Sequence, residues 1–318
     1  MKSPMGTLAL ALLVSVACRS MDGSDTPTIE HGSLTREYVL HIPEGEHEQG
    51  TLPLLFVCHG GGGDAKRARK WGFDEVAKEN GFAICYPEAI DGHWNDGRGG
   101  AKFKQHDAKI DDVGFVMALH KQLLAEHEEF DSHRVYVTGA SNGGMFTQRL
   151  ALEHATSFAA AATIIGSLPK PLAKDFKPDA PIPMLFMNGT EDPLVPYAGG
   201  TVTFALFPNL PRLRKQKSRG DVIATDASVA LWIKSNHAKT EPTVALLPDR
   251  DKKDGAHIKV STWPAEENGA PVVLYKVIGG GHTIPGGSQK VPKRVVGTVC
   301  GDIDGPQAIW TFLSAHRR

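Results

Sequence analysis

Apolar runs and amphipathic stretches alternate along this chain. Residues 36–42 alternate apolar and polar side chains and stop at Pro43, which predicts a strand with one covered face. Residues 52–58 are almost wholly apolar, as is the short run 82–86 before Pro87; both predict strands buried on two faces. Residues 66–80 predict a helix ending at Gly81. In 111–127, Val113, Phe115, Val116, Leu119, Leu123 and Leu124 recur at helical spacing behind two acids, Asp111 and Asp112, which suit a helix N-terminus. A strand at 134–138 runs into a helix at 142–154, and 158–165 and 183–187 are apolar again. Residues 222–236 predict a helix with Thr225 or Asp226 as its cap. Strands at 257–263 and 272–277 and an amphipathic helix at 303–316 complete the chain.

Strands alternating with helices predict an α/β fold, a mostly parallel central sheet with helices on both faces. Such sheets hold their sites in loops at the carboxyl ends of the strands. The 318 residues fit one large α/β domain. With 35 Lys+Arg against 36 Asp+Glu, the chain lacks the basic footprint of a nucleic-acid binder. A 41% hydrophobic share excludes a disordered chain. The basic stretch 207–220 carries Arg212, Arg214, Lys215, Lys217 and Arg219. It reads as solvated surface or, more sharply, as a cap that touches an anionic substrate.

The first residues read as an export signal rather than fold. Lys2 precedes an apolar run, 8–17, too short to span a bilayer, with small residues before Cys18. The expected division is a signal peptide at 1–17, a polar tether at 18–30 and one domain at 31–318. Cleavage before Cys18 leaves two fates open, a lipid on Cys18 at the cell envelope or simple secretion. Cys58 and Cys85 lie in strand-like runs and read as buried small hydrophobes rather than a disulfide; Cys300 is the third remaining cysteine. The histidines and cysteines form no zinc-type spacing.

Gly139-Ala140-Ser141-Asn142-Gly143 fits the Gly-x-Ser-x-Gly nucleophile elbow, a sharp strand-to-helix turn. The pattern alone is weak in a chain with 34 glycines; the strand before it and the helix after it make it specific. A serine hydroxyl needs a base, and the base an orienting carboxylate. Downstream, Asp192 follows the strand 183–187 and His282 follows the strand 272–277 and a glycine run. Glu191 rivals Asp192, which is favoured because Asp192-Pro193 begins a turn. Donors for a developing oxyanion are expected from the N–H of Asn142 and of Gly60 or Gly61, in His59-Gly60-Gly61-Gly62-Gly63. No Gly-Lys-Ser/Thr follows, so a phosphate loop fits poorly. His59 is read as shaping the loop and lying near substrate.

With these residues placed, the chain resembles the group of extracellular polyhydroxybutyrate depolymerases and feruloyl and acetylxylan esterases, from about Thr35 to the end. The resemblance is carried by Asp111-Asp112-Val113-Gly114-Phe115, by the stretch from Arg134 through Ser141 to Met145, by Asn188-Gly189-Thr190-Glu191-Asp192-Pro193-Leu194-Val195-Pro196-Tyr197, and by Gly279-Gly280-Gly281-His282-Thr283-Ile284-Pro285-Gly286. It implies an α/β-hydrolase fold and ester hydrolysis, with Ser141 as nucleophile, Asp192 as acid and His282 as base. With it Tyr197 is placed near substrate, and Trp94 either near the cleft or as a core tryptophan. Two departures stand out: Ile284 replaces a common Trp, and Ser235-Asn236-His237 lacks a common cysteine. Asn188-Gly189-Thr190 is formally a glycosylation sequon, here read as coincidence.

The sequence therefore predicts an exported serine esterase that needs no metal or cofactor. Its substrates would be feruloyl or acetyl carbohydrate esters or 3-hydroxybutyrate-type oligoesters, such as plant polysaccharide or polyester fragments, with no nucleic-acid partner. A non-catalytic polymer binder on the same fold and a serine peptidase are the alternatives.

Overall fold

The computed structural model describes residues 26–99, 110–203, 219–287 and 291–318. The expectations for 1–25, including Cys18, and for 207–218 lie outside the described residues. In chain order the described strands begin with β1 (Thr28–His31), β2 (Leu34–His41), β3 (Leu52–Cys58), β4 (Ala83–Pro87), β5 (Phe130–Ala140) and β6 (Ala160–Ile164). They continue with β7 (Met184–Gly189), β8 (Gly200–Thr201), β9 (Asp221–Val222), β10 (Thr243–Leu246), β11 (His257–Trp263) and β12 (Val272–Ile278). The helices are α1 (Ala65–Ala68), α2 (Phe73–Asn80), α3 (Asp112–Glu126), α4 (Asn142–Glu153), α5 (Thr225–Ser235), α6 (Lys293–Val296) and α7 (Gly305–Ser314).

Among the described residues a 10-stranded sheet runs in the order β1-β2-β4-β3-β5-β6-β7-β12-β11-β10. Its centre, β4 through β12, is parallel. Both flanks are antiparallel. β3 shows why its sequence lacks alternation. Leu54, Phe56 and Cys58 enter one core with Phe115 and Leu119 of α3, Phe146 of α4 and Trp232 of α5. Leu55 and Val57 enter the opposite core with Phe73 of α2 and Ile309 and Trp310 of α7. Each face is covered, so every position of β3 is buried. Phe82 stacks on Trp310 at 3.6 Å between centroids, joining the start of β4 to α7.

Several boundaries differ from expectation. The helix predicted over 66–80 breaks at Gly72, whose φ of 100° no helical residue adopts. The cap predicted at Thr225 or Asp226 is instead Ala224, which makes no side-chain cap bond. The Thr225 hydroxyl pairs with Ser167 Oγ (2.8 Å), and Asp226 Oδ1 accepts from the Tyr197 phenol (2.5 Å). The tether predicted to reach residue 30 ends earlier, because β1 pairs antiparallel with β2 from Thr28. No helix among the described residues is long and apolar enough to cross a membrane.

Asp111 caps α3, its Oδ1 accepting from Gly114 N (2.8 Å). Asp112 is buried instead. Its Oδ1 accepts from Arg36 Nη2 (2.7 Å) and its Oδ2 from Asn95 N (2.7 Å). Burial lifts the Asp112 carboxyl above its ordinary value although Arg36 opposes the shift. Cys58, Cys85 and Cys300 are buried free thiols, and burial raises all three, Cys300 to about 12. Asn236, just after α5, ties that helix to the entry of β7. Its Oδ1 accepts from Ile182 N (3.1 Å) and its Nδ2 donates to Ile182 O (2.6 Å).

Candidate active site

Ser141 stands between β5 and α4 with φ 58° and ψ −119°, a conformation a non-glycine residue holds only under constraint. The constraint is visible on both sides. Ser141 N donates to Ile164 O (2.9 Å), and Met145 N donates to Ser141 O (2.9 Å). A Cβ at Gly139 would meet Gly143 C and O at 2.6 Å, and one at Gly143 would collide with Cys58 O. Both glycines of the pattern are therefore required by close backbone approach.

The loop after β7 presents Asp192, while Glu191 faces solvent. Asp192 Oδ1 accepts from Leu194 N and Val195 N, both at 2.8 Å, and Oδ2 accepts from His282 Nδ1 at 2.7 Å. Both partners are buried, Asp192 at 8% and His282 at 9% exposure. That contact places the imidazole proton on Nδ1 and leaves Nε2 as an acceptor. The loop after β12 is itself pinned, with Gly281 N donating to Thr298 O (2.9 Å) and His282 N to Val296 O (2.5 Å).

Ser141 and His282 line one cavity of about 320 Å³ together with Asn142 and the loop His59 to Gly63. Gly60 packs against the elbow, where a Cβ would stand 3.7 Å from Ser141 Cβ, and one at Gly61 would stand 3.4 Å from Asn142 Cβ. Two N–H groups of the loop are consumed internally: Gly62 N donates to Gly92 O (2.8 Å) and Gly63 N to Gly60 O (2.9 Å). Among the described residues, no acceptor takes the N–H of Gly60, Gly61 or Asn142. His59 fastens the loop. Its Nε2 accepts from Ala89 N (3.1 Å), so Nδ1 carries the proton and donates to Gly60 O (2.9 Å). With both nitrogens engaged, it is no candidate for proton transfer.

Two residues predicted near substrate do not line this cavity. Trp94 is fully buried, stacked on Phe146 at 4.7 Å, with Nε1 donating to His59 O (2.9 Å). Its bulk went into the core because both its faces and its N–H found protein partners. Tyr197 turns its phenol to Asp226, and the Lys276 ammonium sits 4.6 Å from its ring centroid. The sequon residue Asn188 is 4% exposed, which leaves no room for a glycan.

The sequence reading missed the role of the Asn142 side chain. Its Oδ1 accepts from Trp94 N (2.8 Å), and its Nδ2 donates to Trp94 O (3.0 Å) and Asp96 Oδ2 (2.6 Å). It also missed Arg98, in the cavity wall and paired with Asp96 at 2.8 Å, and the apolar wall of Ile165, Leu194, Val195, Val202 and Val296. Gly97 and Gly99, flanking Arg98 with positive φ, were a signal of a shaped loop there.

Residues 36–168 match the family model described as "Esterase PHB depolymerase". The protein named "Putative esterase NocK" of Nocardia uniformis subsp. tsuyamanensis is 33% identical over 278 residues, covering 83% of this chain and 74% of that protein. "Probable feruloyl esterase C" of Aspergillus terreus is 26% identical over 199 residues, covering 60% of this chain and 68% of that protein. The solved structure "Acetyl xylan esterase from Aspergillus awamori" superposes with a TM-score of 0.53 at 11% identity, covering 88% of this chain and 94% of that one; it shares the fold. The chain belongs to the esterase PHB depolymerase family and is a carboxylic ester hydrolase on an α/β-hydrolase fold.

Proposed function

We propose that hydrolysis proceeds through an acyl-enzyme on Ser141. The observation that supports this best is the 2.7 Å contact of His282 Nδ1 with Asp192 Oδ2 beside a strained serine in the same cavity. Ser141 Oγ attacks the ester carbonyl carbon while its proton passes to His282 Nε2. The N–H groups of Asn142 and of Gly60 or Gly61 stabilise the resulting oxyanion. The tetrahedral intermediate then collapses, the carbonyl–alkoxide bond breaks, and His282 returns the proton to the leaving alcohol. Water, deprotonated by His282, attacks the acyl carbon, releasing the acid and restoring the Ser141 hydroxyl.

A cavity of about 320 Å³ suits a small acyl or aryl group rather than a polymer chain. Feruloyl or acetyl carbohydrate esters and soluble 3-hydroxybutyrate oligoesters are accordingly the proposed substrates, the first two in line with the relatives' names. The apolar run at 8–17 supports an exported enzyme, which N-terminal sequencing of the mature protein tests. For the chemistry, Ser141→Ala is expected to remove hydrolysis of p-nitrophenyl butyrate and labelling by a fluorophosphonate. Retention of either by the folded variant would overturn the assignment. A panel of methyl ferulate, acetylated xylan and 3-hydroxybutyrate oligomers ranks the substrates.

A further inference from the structure

Among the described residues, five other than glycine hold a positive φ: Asp91, Ser141, Ile165, His237 and Asn268. Ile165, at φ 46°, is the β-branched one. In the left-handed region a branched side chain crowds its own backbone, so the conformation persists only where the surroundings impose it. The imposing groups are hydrogen bonds at both ends of the 164–165 peptide. Ile164 O accepts from Ser141 N (2.9 Å), and Ile165 N donates to Met187 O (2.8 Å). The next residue is fixed as well, since a Cβ at Gly166 would stand 3.0 Å from Ser141 O and 2.9 Å from Met145 N. The turn after β6 is thus wedged against the turn that carries the nucleophile.

A glycine at 165 would take this φ without strain. What glycine lacks is a side chain, and that of Ile165 lines the cavity shared by Ser141 and His282. Of the described residues 164–168, Ile165 is the one in this wall. Its position has a direction. β5, which leads to Ser141, lies between β3 and β6. The loop after β3 brings the Gly60 and Gly61 N–H groups to one flank of the serine, and the turn after β6 brings Ile165 to the other. An ester whose carbonyl oxygen turns to the first flank has its acyl or its alkoxy group to lay against the second. The Ile165 side chain also belongs to the core that holds Ile164, Leu185 and Met187. Core packing and a part in the site predict different losses on substitution, which separates them by experiment.

We propose that Ile165 is a specificity-determining residue. Its branched side chain limits the bulk of the ester group seated beside Ser141, on the flank away from the oxyanion donors, so that slender, unbranched esters are preferred. This deepens the esterase reading and rests on Ser141 as nucleophile. The group it meets can be the acyl or the alcohol part, and two substrate pairs separate these. The acyl pair is p-nitrophenyl pivalate against p-nitrophenyl butyrate. The alcohol pair is tert-butyl butyrate against methyl butyrate. Comparing each ratio between variant and wild type cancels the intrinsic reactivity of the esters.

Ile165→Ala and Ile165→Gly are expected to raise the branched-to-straight ratio of kcat/KM by about tenfold or more in at least one pair, the scale of a methylene-sized change in an apolar pocket. Ile165→Val, which loses one methylene and so guards the fold, is expected to raise it by less. Urea unfolding and fluorophosphonate labelling confirm that each variant is folded. Glycine relieves the left-handed strain and alanine keeps it, so Ile165→Gly is expected to unfold at higher urea than Ile165→Ala. The reverse order overturns the strain on which the inference stands. Ratios equal to wild type in both pairs, in the variants that fold, overturn the selectivity role, reduce Ile165 to core packing and leave the esterase reading standing. A wild-type enzyme that hydrolyses none of the four esters and takes no fluorophosphonate overturns the nucleophile instead.

Discussion

Replacing Asp192 with asparagine tests the proposed orientation of His282 by Asp192 at its most constrained point. The change is isosteric, and the surroundings dictate how the new amide must lie. Asp192 Oδ1 accepts from two backbone donors, Leu194 N and Val195 N, each at 2.8 Å. An asparagine there keeps its carbonyl oxygen on these two N–H groups, because the opposite flip would set donors against donors in a buried site. Its NH2 group then faces His282 Nδ1 at about the present 2.7 Å. Nδ1 must become the acceptor, so the imidazole proton moves to Nε2, the nitrogen that should take the Ser141 proton. The expected loss in kcat/KM is about four orders of magnitude, or about 5 kcal/mol of barrier. It is read with p-nitrophenyl butyrate between neutral and mildly alkaline pH, with urea unfolding of the same preparation to confirm the fold. A loss below tenfold would refute the reasoning, as would a larger loss in Glu191→Gln.

Two predictions concern stability. Arg36→Met should cost about 3–5 kcal/mol in urea unfolding, because it removes the cation that pairs with the buried Asp112 carboxylate; a change under 1 kcal/mol would contradict the pairing. His120 is packed against Phe56 and Phe158, its Nε2 has no partner among the described residues, and burial lowers its pKa from 6.5 to about 4. The unfolded chain therefore binds the extra proton first as pH falls, so His120 supports the fold above 6.5 and loses that support on the way to about 4. The loss should reach about 2 kcal/mol between pH 7.5 and 5 and disappear in His120→Phe, as read from unfolding free energies at the two pH values.

Much of this arrangement is legible in the sequence because parallel strands buried on both faces advertise themselves. The run 52–58 coincides with β3, and the turn after 134–138 could only be sharp with glycines on both sides of Ser141. Edge elements carried no such signal. β10 is exposed at every position, so no periodicity marks it, and β1 hides in a polar stretch. The break at Gly72 was lost because the residues on both sides favour helix and only the glycine differs. Trp94, open between cleft and core, and Tyr197, expected near substrate, were hard to place for a different reason. An aromatic near a catalytic motif is equally suited to a cavity wall or to the core, and partners distant in sequence, Phe146 and Asp226, decided each case. The Asp96–Arg98–Asn142 cluster joins residues 46 apart and becomes visible only once the chain has folded.

Asn142 grips the main chain of Trp94 and the carboxylate of Asp96 while standing next to Ser141 in the chain. The segment that carries Arg98 and the turn that aims the hydroxyl are thus coupled directly through the Asn142 side chain. Directed evolution that swaps the 94–99 loop to retune selectivity will therefore tilt the attacking group as well. Libraries that hold Trp94, Asp96 and Asn142 fixed and vary only the outer wall should yield active clones far more often.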